Sequence, residues 1–209
     1  MGRNPTGSDV KMLKAGAALA KAKGLNGFTV RQVCAKSKVN LGMFHYYFST
    51  KENFDMAVLE SIYSKMIENI KIKVSPSASP KQNVRAILIN IQEFIKENRV
   101  LLSSLGGDVF SGNKKTFKFI VKNFTKHVEI LFGELLRAQK CGALAAPSAL
   151  DAFLIIMPPA AVPQILLGLV SRLNVGLPGK LKASALTVMV EENAPARIDL
   201  LVNSIFKEK

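Results

Sequence analysis

Residues 29–48, TVRQVCAKSKVNLGMFHYYF, predict two short helices joined by a tight turn, and this pair decides the fold. Thr29 is followed three residues later by Gln32, a spacing typical of a capping box at the start of a helix. Residues 38–40 form the connection and end at Asn40, a residue type that favours the N-cap of the next helix. The stretch is therefore predicted to fold as a compact bihelical unit.

Helix signals also flank this unit on both sides. Ser8 and Asp9 predict the cap of a first helix, which Gly24 ends. After the unit, Ser49 followed by Glu52 predicts a second capping box and the start of a long fourth helix. Apolar residues recur every four positions along that helix and predict its buried stripe, which consists of Phe54, Val58, Ile62, Met66 and Ile70.

Two short helices behind a longer one are typical of a helix-turn-helix, whose second short helix enters the major groove of DNA. That helix must bury one face and present the other to a groove about 12 Å wide. The predicted packing side consists of Val33, Cys34, Val39 and Phe48, with Leu13, Ala17 and Ala20 of the first helix behind them. The candidates for the groove side are Asn40, Leu41, Met43, Phe44, His45 and Tyr46.

Basic charge is concentrated around the same unit. The chain has 29 Lys and Arg residues against 15 Asp and Glu residues, which gives a net charge of +14. Nine of the basic residues and one acid, Asp9, lie between Met1 and Lys51. A surplus of this size indicates an anionic partner, either a nucleic acid or an acidic membrane surface. The helix-turn-helix favours double-stranded DNA.

The rest of the chain also predicts helices, so the expected fold class is all-α. Residues 75–80 read as a Ser/Pro linker, and Ser79 with Pro80 predicts a sharp helix start. We expect the helix near residues 101–110 to be broken at Gly106-Gly107, and one longer helix to run from Asn113 through Leu135.

The most apolar segment follows Ser148 and Asp151, which predict a helix start, and it reaches about Asn174. Residues 175–193 contain two glycines and a proline and are expected to be largely irregular. A last amphipathic helix is predicted over residues 194–206.

The stretch from Phe28 to Phe54 resembles the DNA-binding signature of the TetR family of transcriptional regulators. The tail of the signature is the specific part: Gly42, two free positions, aromatic residues that end in Tyr47-Phe48, and then Lys51-Glu52. The resemblance reaches back to Met12 and forward to about Ile67 and covers roughly the first third of the chain.

Carried over residue by residue, this resemblance implies phosphate contacts for Thr29 and Lys51 and a position near the DNA backbone for Tyr47. Gly42 would allow close approach to the DNA. Base edges would be read, or the groove braced, by Asn40, Leu41, Met43 and Tyr46. His45 stands where the family usually has a phosphate-binding tyrosine, and Lys38 replaces a turn glycine. Arg31 either lies near phosphate or faces water.

The resemblance further implies a two-domain arrangement. A three-helix DNA-binding domain, residues 6–67, would be joined by the long helix to a helical ligand-binding and dimerisation domain, residues 76–209. The protein would be a cytoplasmic homodimeric repressor that binds a palindromic operator and responds to an unidentified small-molecule effector. We expect the effector pocket near Gly106-Gly107 or the proline kink at Pro158-Pro159. No cofactor or metal is expected.

Two other function classes need consideration. Residues 152–170 carry no charge and are long enough to cross a bilayer, so a basic membrane-associated protein is the alternative. Three prolines, Gln164 and the amphipathic helices on either side favour a buried dimer interface over a membrane span. An enzyme is disfavoured, because the sequence has two histidines and lacks the nucleophile, phosphate-loop, metal and dinucleotide motifs.

Overall fold

A computed structural model describes residues 7–123, 125–173, 190 and 192–208. The fold of these residues is all-α, as predicted, with an isolated β-bridge between Leu144 and Phe206. The α-helices of the described residues are α1 (Gly7–Lys23), α2 (Val30–Ser37), α3 (Leu41–Phe48), α4 (Lys51–Lys73), α5 (Pro80–Glu97), α6 (Arg99–Phe110), α7 (Lys114–Asn123), α8 (Lys126–Lys140), α9 (Ala149–Leu173) and α10 (Ala194–Ile205). A short 3-10 turn, Leu25–Gly27, connects α1 to the helix-turn-helix.

The start of α4 differs by one residue from the prediction. Thr50, not Ser49, is the N-cap, because the Thr50 side chain accepts a hydrogen bond from the Asn53 backbone N–H at 3.2 Å. Ser49 instead ends α3 with a φ of 62° and donates its backbone N–H to the carbonyl of His45 at 3.0 Å. The chain needs this extra residue in order to reverse direction before α4 begins.

Two predictions about the middle of the chain are wrong. The residues Gly106-Gly107 do not break a helix, since α6 is continuous and is held by the buried side chains of Leu101 and Leu105. The single helix expected after Asn113 is two helices, α7 and α8. The two helices are separate because they pack in different hydrophobic cores. Phe119 and Ile120 of α7 pack against one core, whereas Leu131 and Leu135 of α8 lie in a second core.

The buried apolar residues form two cores. The amino-terminal core contains residues of α1 to α4 together with Leu101 and Leu105 of α6. The carboxyl-terminal core contains the second half of α4 with residues of α5, α8, α9 and α10. The long helix α4 therefore contributes to both cores.

Further contacts hold α6 against the end of α1 and α8 against α4. Gly24, with a φ of +73°, ends α1, and a Cβ at this position would lie 2.9 Å from the Ser104 Cβ in α6. The hydroxyl of Tyr63 in α4 lies 3.0 Å from Nδ1 of His127 in α8, and it accepts the His127 backbone N–H at 3.2 Å. Burial lowers the pKa of His127 to about 4, so the imidazole is neutral at physiological pH.

The helix α9 begins as predicted. The Ser148 hydroxyl donates to the Asp151 carboxylate at 2.6 Å and accepts the Asp151 backbone N–H at 3.1 Å. Three prolines lie inside α9, at positions 158, 159 and 163. The irregular segment expected over residues 175–193 lies largely outside the described residues. The domain limits 6–67 and 76–209 remain predictions, although the amino-terminal core extends beyond residue 67 into α6.

Candidate nucleic-acid interface

The inner face of α3 is fixed by an aromatic cluster. The rings of Phe44 and Phe48 lie 5.1 and 4.8 Å from the Phe54 ring of α4, measured between centroids. Phe44 is fully buried in this cluster. Its prediction as a groove-facing residue is therefore wrong, because its side chain belongs to the amino-terminal core and cannot reach a base edge.

The outer face of α3 is exposed to solvent. Leu41 is 45% exposed and Tyr46 is 58% exposed, which is unusual for large apolar and aromatic side chains. Gly42 and His45 are also exposed, while Met43 and Tyr47 are half-buried. The Tyr46 and Tyr47 rings pack edge to face at 5.1 Å. The short helix thus has the one-sided burial that a groove-reading helix requires.

Two features adapt the N-terminus of α3 to a close approach. The Asn40 side chain accepts the backbone N–H of Met43 at 2.8 Å, so its oxygen serves the helix as a cap. A Cβ added to Gly42 would meet a single atom within 4 Å, Asn40 Oδ1 at 3.4 Å. Internal packing therefore does not require a glycine here, whereas a backbone placed against DNA would.

The start of α2 is organised by the predicted capping box. Thr29 Oγ1 accepts the Gln32 backbone N–H at 3.3 Å, and Gln32 Oε1 accepts the Thr29 backbone N–H at 2.9 Å. Because the Thr29 oxygen acts here as an acceptor, its hydroxyl hydrogen can donate to an external acceptor such as a phosphate oxygen. Arg31 lies beside it and is exposed.

Two residues with a positive φ flank α3, namely Lys38 in the turn before it and Ser49 after it. Lys38 has a φ of 56°, which is the left-handed conformation that its place in the turn predicts. His45 Nδ1 lies 3.1 Å from the carbonyl oxygen of Ser49. Since a carbonyl can only accept, Nδ1 carries the hydrogen in this contact and the neutral ring leaves Nε2 as an acceptor.

The side-chain ammonium of Lys51 is held by groups of the protein itself. Its Nζ lies 2.8 Å from the Asp55 carboxylate, donates to the Leu25 carbonyl at 2.9 Å and lies 4.2 Å from the centre of the Phe28 ring. Burial raises the pKa of Asp55, while the hydrogen bond and charge of Lys51 oppose that rise. Sequence reasoning missed this contact, although the spacing of four residues between Lys51 and Asp55 could have indicated it.

The segment that contains α2 and α3 carries basic but no acidic side chains. No acidic residue occurs in the sequence between Asp9 and Glu52. The exposed cations of α2 and the turn are Arg31, Lys36 and Lys38. Cations of this kind attract a polyanion.

Comparison with known proteins agrees with this geometry. Residues 12–54 match the family model described as bacterial regulatory proteins, tetR family. The comparison with curated proteins found no match to this chain. Among solved structures, a TetR transcription regulator from Haloarcula marismortui is 13% identical, with a TM-score of 0.72 and coverage of 96% of this chain and 99% of that one.

Two further structures have the same fold. The transcriptional regulator FadR from Bacillus subtilis, solved in complex with stearoyl-CoA, is 14% identical, with a TM-score of 0.71 and coverage of 94% and 98% of the two chains. A tetR-family regulatory protein from Rhodococcus RHA1 is 15% identical, with a TM-score of 0.63 and coverage of 98% and 100%. At these identities the likeness concerns the fold of the chain.

Proposed function

We propose that this chain, whose residues 12–54 match the family model of tetR-type bacterial regulatory proteins and whose fold is that of solved TetR regulators, reads an operator sequence with the outer face of α3. The observation that carries the proposal is the contrast between the two faces of that helix. Phe44 and Phe48 are buried beneath it, while Leu41 and Tyr46 are exposed above it.

In this proposal the residues divide into two groups. Leu41, Met43 and Tyr46 contact or brace against base edges, and His45 Nε2 accepts from a base N–H or, when the ring is protonated, donates to a phosphate. Thr29 and Arg31 contact the sugar-phosphate backbone and fix the register of the helix. Asn40 contributes by setting the start of α3, since its side-chain oxygen already caps that helix.

Lys51 takes a modified role. With its ammonium group held by Asp55 and the Leu25 carbonyl, its first effect is to fix the start of α4 to the turn after α1. To contact a phosphate as well, the Lys51 ammonium would have to share with the DNA one of the hydrogen bonds that it already makes to Asp55 or Leu25.

We further propose that the protein is a homodimer whose interface is the outer face of α9. That face exposes six large apolar side chains: Leu150, Leu154, Ile155, Val162, Ile165 and Leu166. Residues 149–167 are long and apolar enough to cross a membrane, and 28% of that window is buried within the chain. A second copy would cover this face, and a two-fold dimer would place two α3 helices about 34–36 Å apart on a palindromic operator.

Regulation by a small molecule is the last part of the proposal. FadR of Bacillus subtilis, which shares the fold, was solved with stearoyl-CoA. An effector that binds the carboxyl-terminal helices of this chain would act on α3 through α4, which lies in both cores. Coupling of about 1–3 kcal/mol is typical of such systems and would release an operator, so the protein would act as a cytoplasmic repressor.

The decisive experiment is selection of bound fragments from random duplex DNA with the purified full chain. We expect a two-fold symmetric consensus and a soluble dimer in the absence of detergent. Equal binding to all duplexes would overturn the proposed reading function. A protein that remains soluble only in detergent would instead support the alternative, a basic membrane-associated protein.

A further inference from the structure

A cleft of about 520 Å³ lies between α1, α4 and α5, away from the outer face of α3. Its size falls within the range of ordinary small-molecule sites, about 300–1,000 Å³. Apolar side chains from all three helices line it: Leu13, Ala17, Ile62, Met66 and Phe94. The cleft spans the joint between the two cores, since α1 belongs to the amino-terminal core and α5 to the carboxyl-terminal core.

Within the described part of the chain, some charged residues of the cleft form ion pairs and others do not. Of its two carboxylates, Glu97 lies 3.1 Å from Lys21 Nζ, and Glu93 lies 3.7 Å from the Nζ of Lys73. Lys14 of α1 and Lys65 of α4 also line the cleft, and neither has an acidic partner among the residues that the structure describes. The lining therefore offers two uncompensated positive charges beside an apolar surface.

Buried amides complete the α5 wall. Asn90 and Asn98 line the cleft and are 4% and 1% exposed. The Asn98 side-chain N–H donates to the Phe94 carbonyl at 2.7 Å, but no donor among the described residues reaches its buried Oδ1. An unpaired buried acceptor destabilises the folded protein, and native proteins keep few of them.

We propose that this cleft binds an amphipathic organic anion, a carboxylate attached to an apolar body. The carboxylate pairs with Lys14 and Lys65, and the apolar body covers Leu13, Ile62 and Phe94. Opposite charge selects the head group, while burial of the apolar chain supplies most of the affinity.

Binding of a ligand in the cleft would also affect the position of α3. The ligand would contact α1 and α5 together and so fix the position of the amino-terminal core relative to the carboxyl-terminal core. This coupling rests on the proposed function, whereas binding itself does not.

The test uses decanoate as the probe and the purified full chain without DNA. We expect isothermal titration calorimetry to detect decanoate and to give at least tenfold weaker binding for decanol and for decyltrimethylammonium. Lys14→Gln and Lys65→Gln should each raise the Kd for decanoate about tenfold. Lys11→Gln, at an exposed position of α1 outside the cleft, is the matched control and should leave the Kd unchanged.

A second variant tests the location independently of charge. Ala18 is exposed and lines the cleft, so Ala18→Trp should fill the space without disturbing the core and abolish decanoate binding. Binding of decanol as tight as that of decanoate, or an unchanged Kd in the two lysine variants and in Ala18→Trp, would overturn the site. Decanoate that adsorbed only on the exposed face of α9 would leave the Kd unchanged in all three variants, because that face lacks these lysines.

The coupling is measured separately on the operator selected above. We expect saturating decanoate to change operator affinity at least fivefold in the wild-type chain and to have no effect in Ala18→Trp. Decanoate binding without any change in operator affinity would overturn the coupling alone. Failure to obtain an operator would overturn the proposed function while the DNA-free titrations still decide the site.

Discussion

The outer faces of α3 and α9 both expose large apolar side chains, but their surroundings differ. Around α3, Leu41 and Tyr46 are accompanied by Arg31, Lys36 and Lys38. Along α9, residues 152–170 carry no charge at all. Exposed apolar surface beside cations suits a polyanion with grooves, whereas uncharged apolar surface suits a similar surface on another protein chain. The neighbours of an exposed residue, more than its exposure, indicate its partner.

The largest effect is expected from a charge placed on the uncharged face. Leu154 is 58% exposed in the single chain and would be buried at the dimer interface. Leu154→Glu should weaken dimerisation by about 3 kcal/mol or more, roughly 100-fold, because the carboxylate would be buried without a partner. Sedimentation equilibrium measures the change. Ile72→Glu alters another strongly exposed apolar residue outside α9 and is the control; a Leu154→Glu protein that stays fully dimeric would remove α9 from the interface.

A similar effect is expected from pH at the contact between α4 and α8. The pKa of buried His127 is lowered to about 4, so folding favours the neutral ring. Its contribution is present above the unfolded pKa of about 6.5 and is lost as the pH falls toward 4, by about 3 kcal/mol in total. Urea unfolding of wild type and His127→Gln across this range should therefore show a shallower pH dependence in the variant.

The control for this experiment is His45→Gln, which removes the chain's other histidine from an exposed position. Identical pH profiles for wild type and His127→Gln would show that folding does not favour the neutral form of the His127 ring.

An intermediate effect is expected at the start of α4, where Lys51 lies. Lys51→Ala should lower the free energy of unfolding by about 2 kcal/mol, because it leaves Asp55 and the Leu25 carbonyl without their shared donor. Urea unfolding tests this change, and Lys36→Ala, at an exposed position of α2, provides the comparison.

The salt dependence of DNA binding separates a phosphate contact from this structural role. If Lys51 also held a phosphate, the slope of log K against log salt would fall by about 1 in Lys51→Ala. An unchanged slope combined with lower stability would assign Lys51 to the fold alone.

Specific recognition should be sensitive to Tyr46. Tyr46→Ala should reduce discrimination between the selected operator and a scrambled duplex by about 1–3 kcal/mol, since the exposed ring contacts the groove. Competition binding at one fixed salt concentration measures this ratio, and Leu136→Ala, a partly exposed residue of α8, is the control. An equal loss on both duplexes would mean that Tyr46 contributes affinity without reading sequence.

The smallest effect is expected at the turn between α2 and α3. Lys38 holds a φ of 56°, which costs a residue with a side chain about 1 kcal/mol relative to glycine. Lys38→Gly should therefore raise the free energy of unfolding by up to about 1 kcal/mol while weakening DNA binding through loss of one charge. Lower stability in the variant would indicate that the lysine side chain makes a stabilising contact in the turn.

Local sequence signals predicted the elements that local chemistry controls. The capping residues Thr29, Asn40, Ser79 and Ser148 all cap helices as expected. These predictions succeed because a cap is a contact between residues three positions apart, and so both partners are visible in the sequence.

The errors concern residues whose conformation depends on distant partners. Gly106-Gly107 would weaken an isolated helix, but Leu101 and Leu105 hold α6 on the amino-terminal core. Phe44 lies four positions before Phe48 and shares its inward face of α3, and its contact with Phe54 of α4 buries it completely. The effector pocket expected near Gly106-Gly107 or Pro158-Pro159 stays a prediction, and the cleft between α1, α4 and α5 lies elsewhere, lined by residues between 10 and 98.

The sequence by itself determined the helix-turn-helix, its basic surroundings and the all-α class, because caps, periodicity and charge act over a few residues. Only the tertiary structure decided that Phe44 is fully buried, that Lys51 donates to the Leu25 carbonyl, and that α6 completes the amino-terminal core. These features depend on contacts between distant parts of the chain, and such contacts exist only once α4 has positioned the two cores relative to each other.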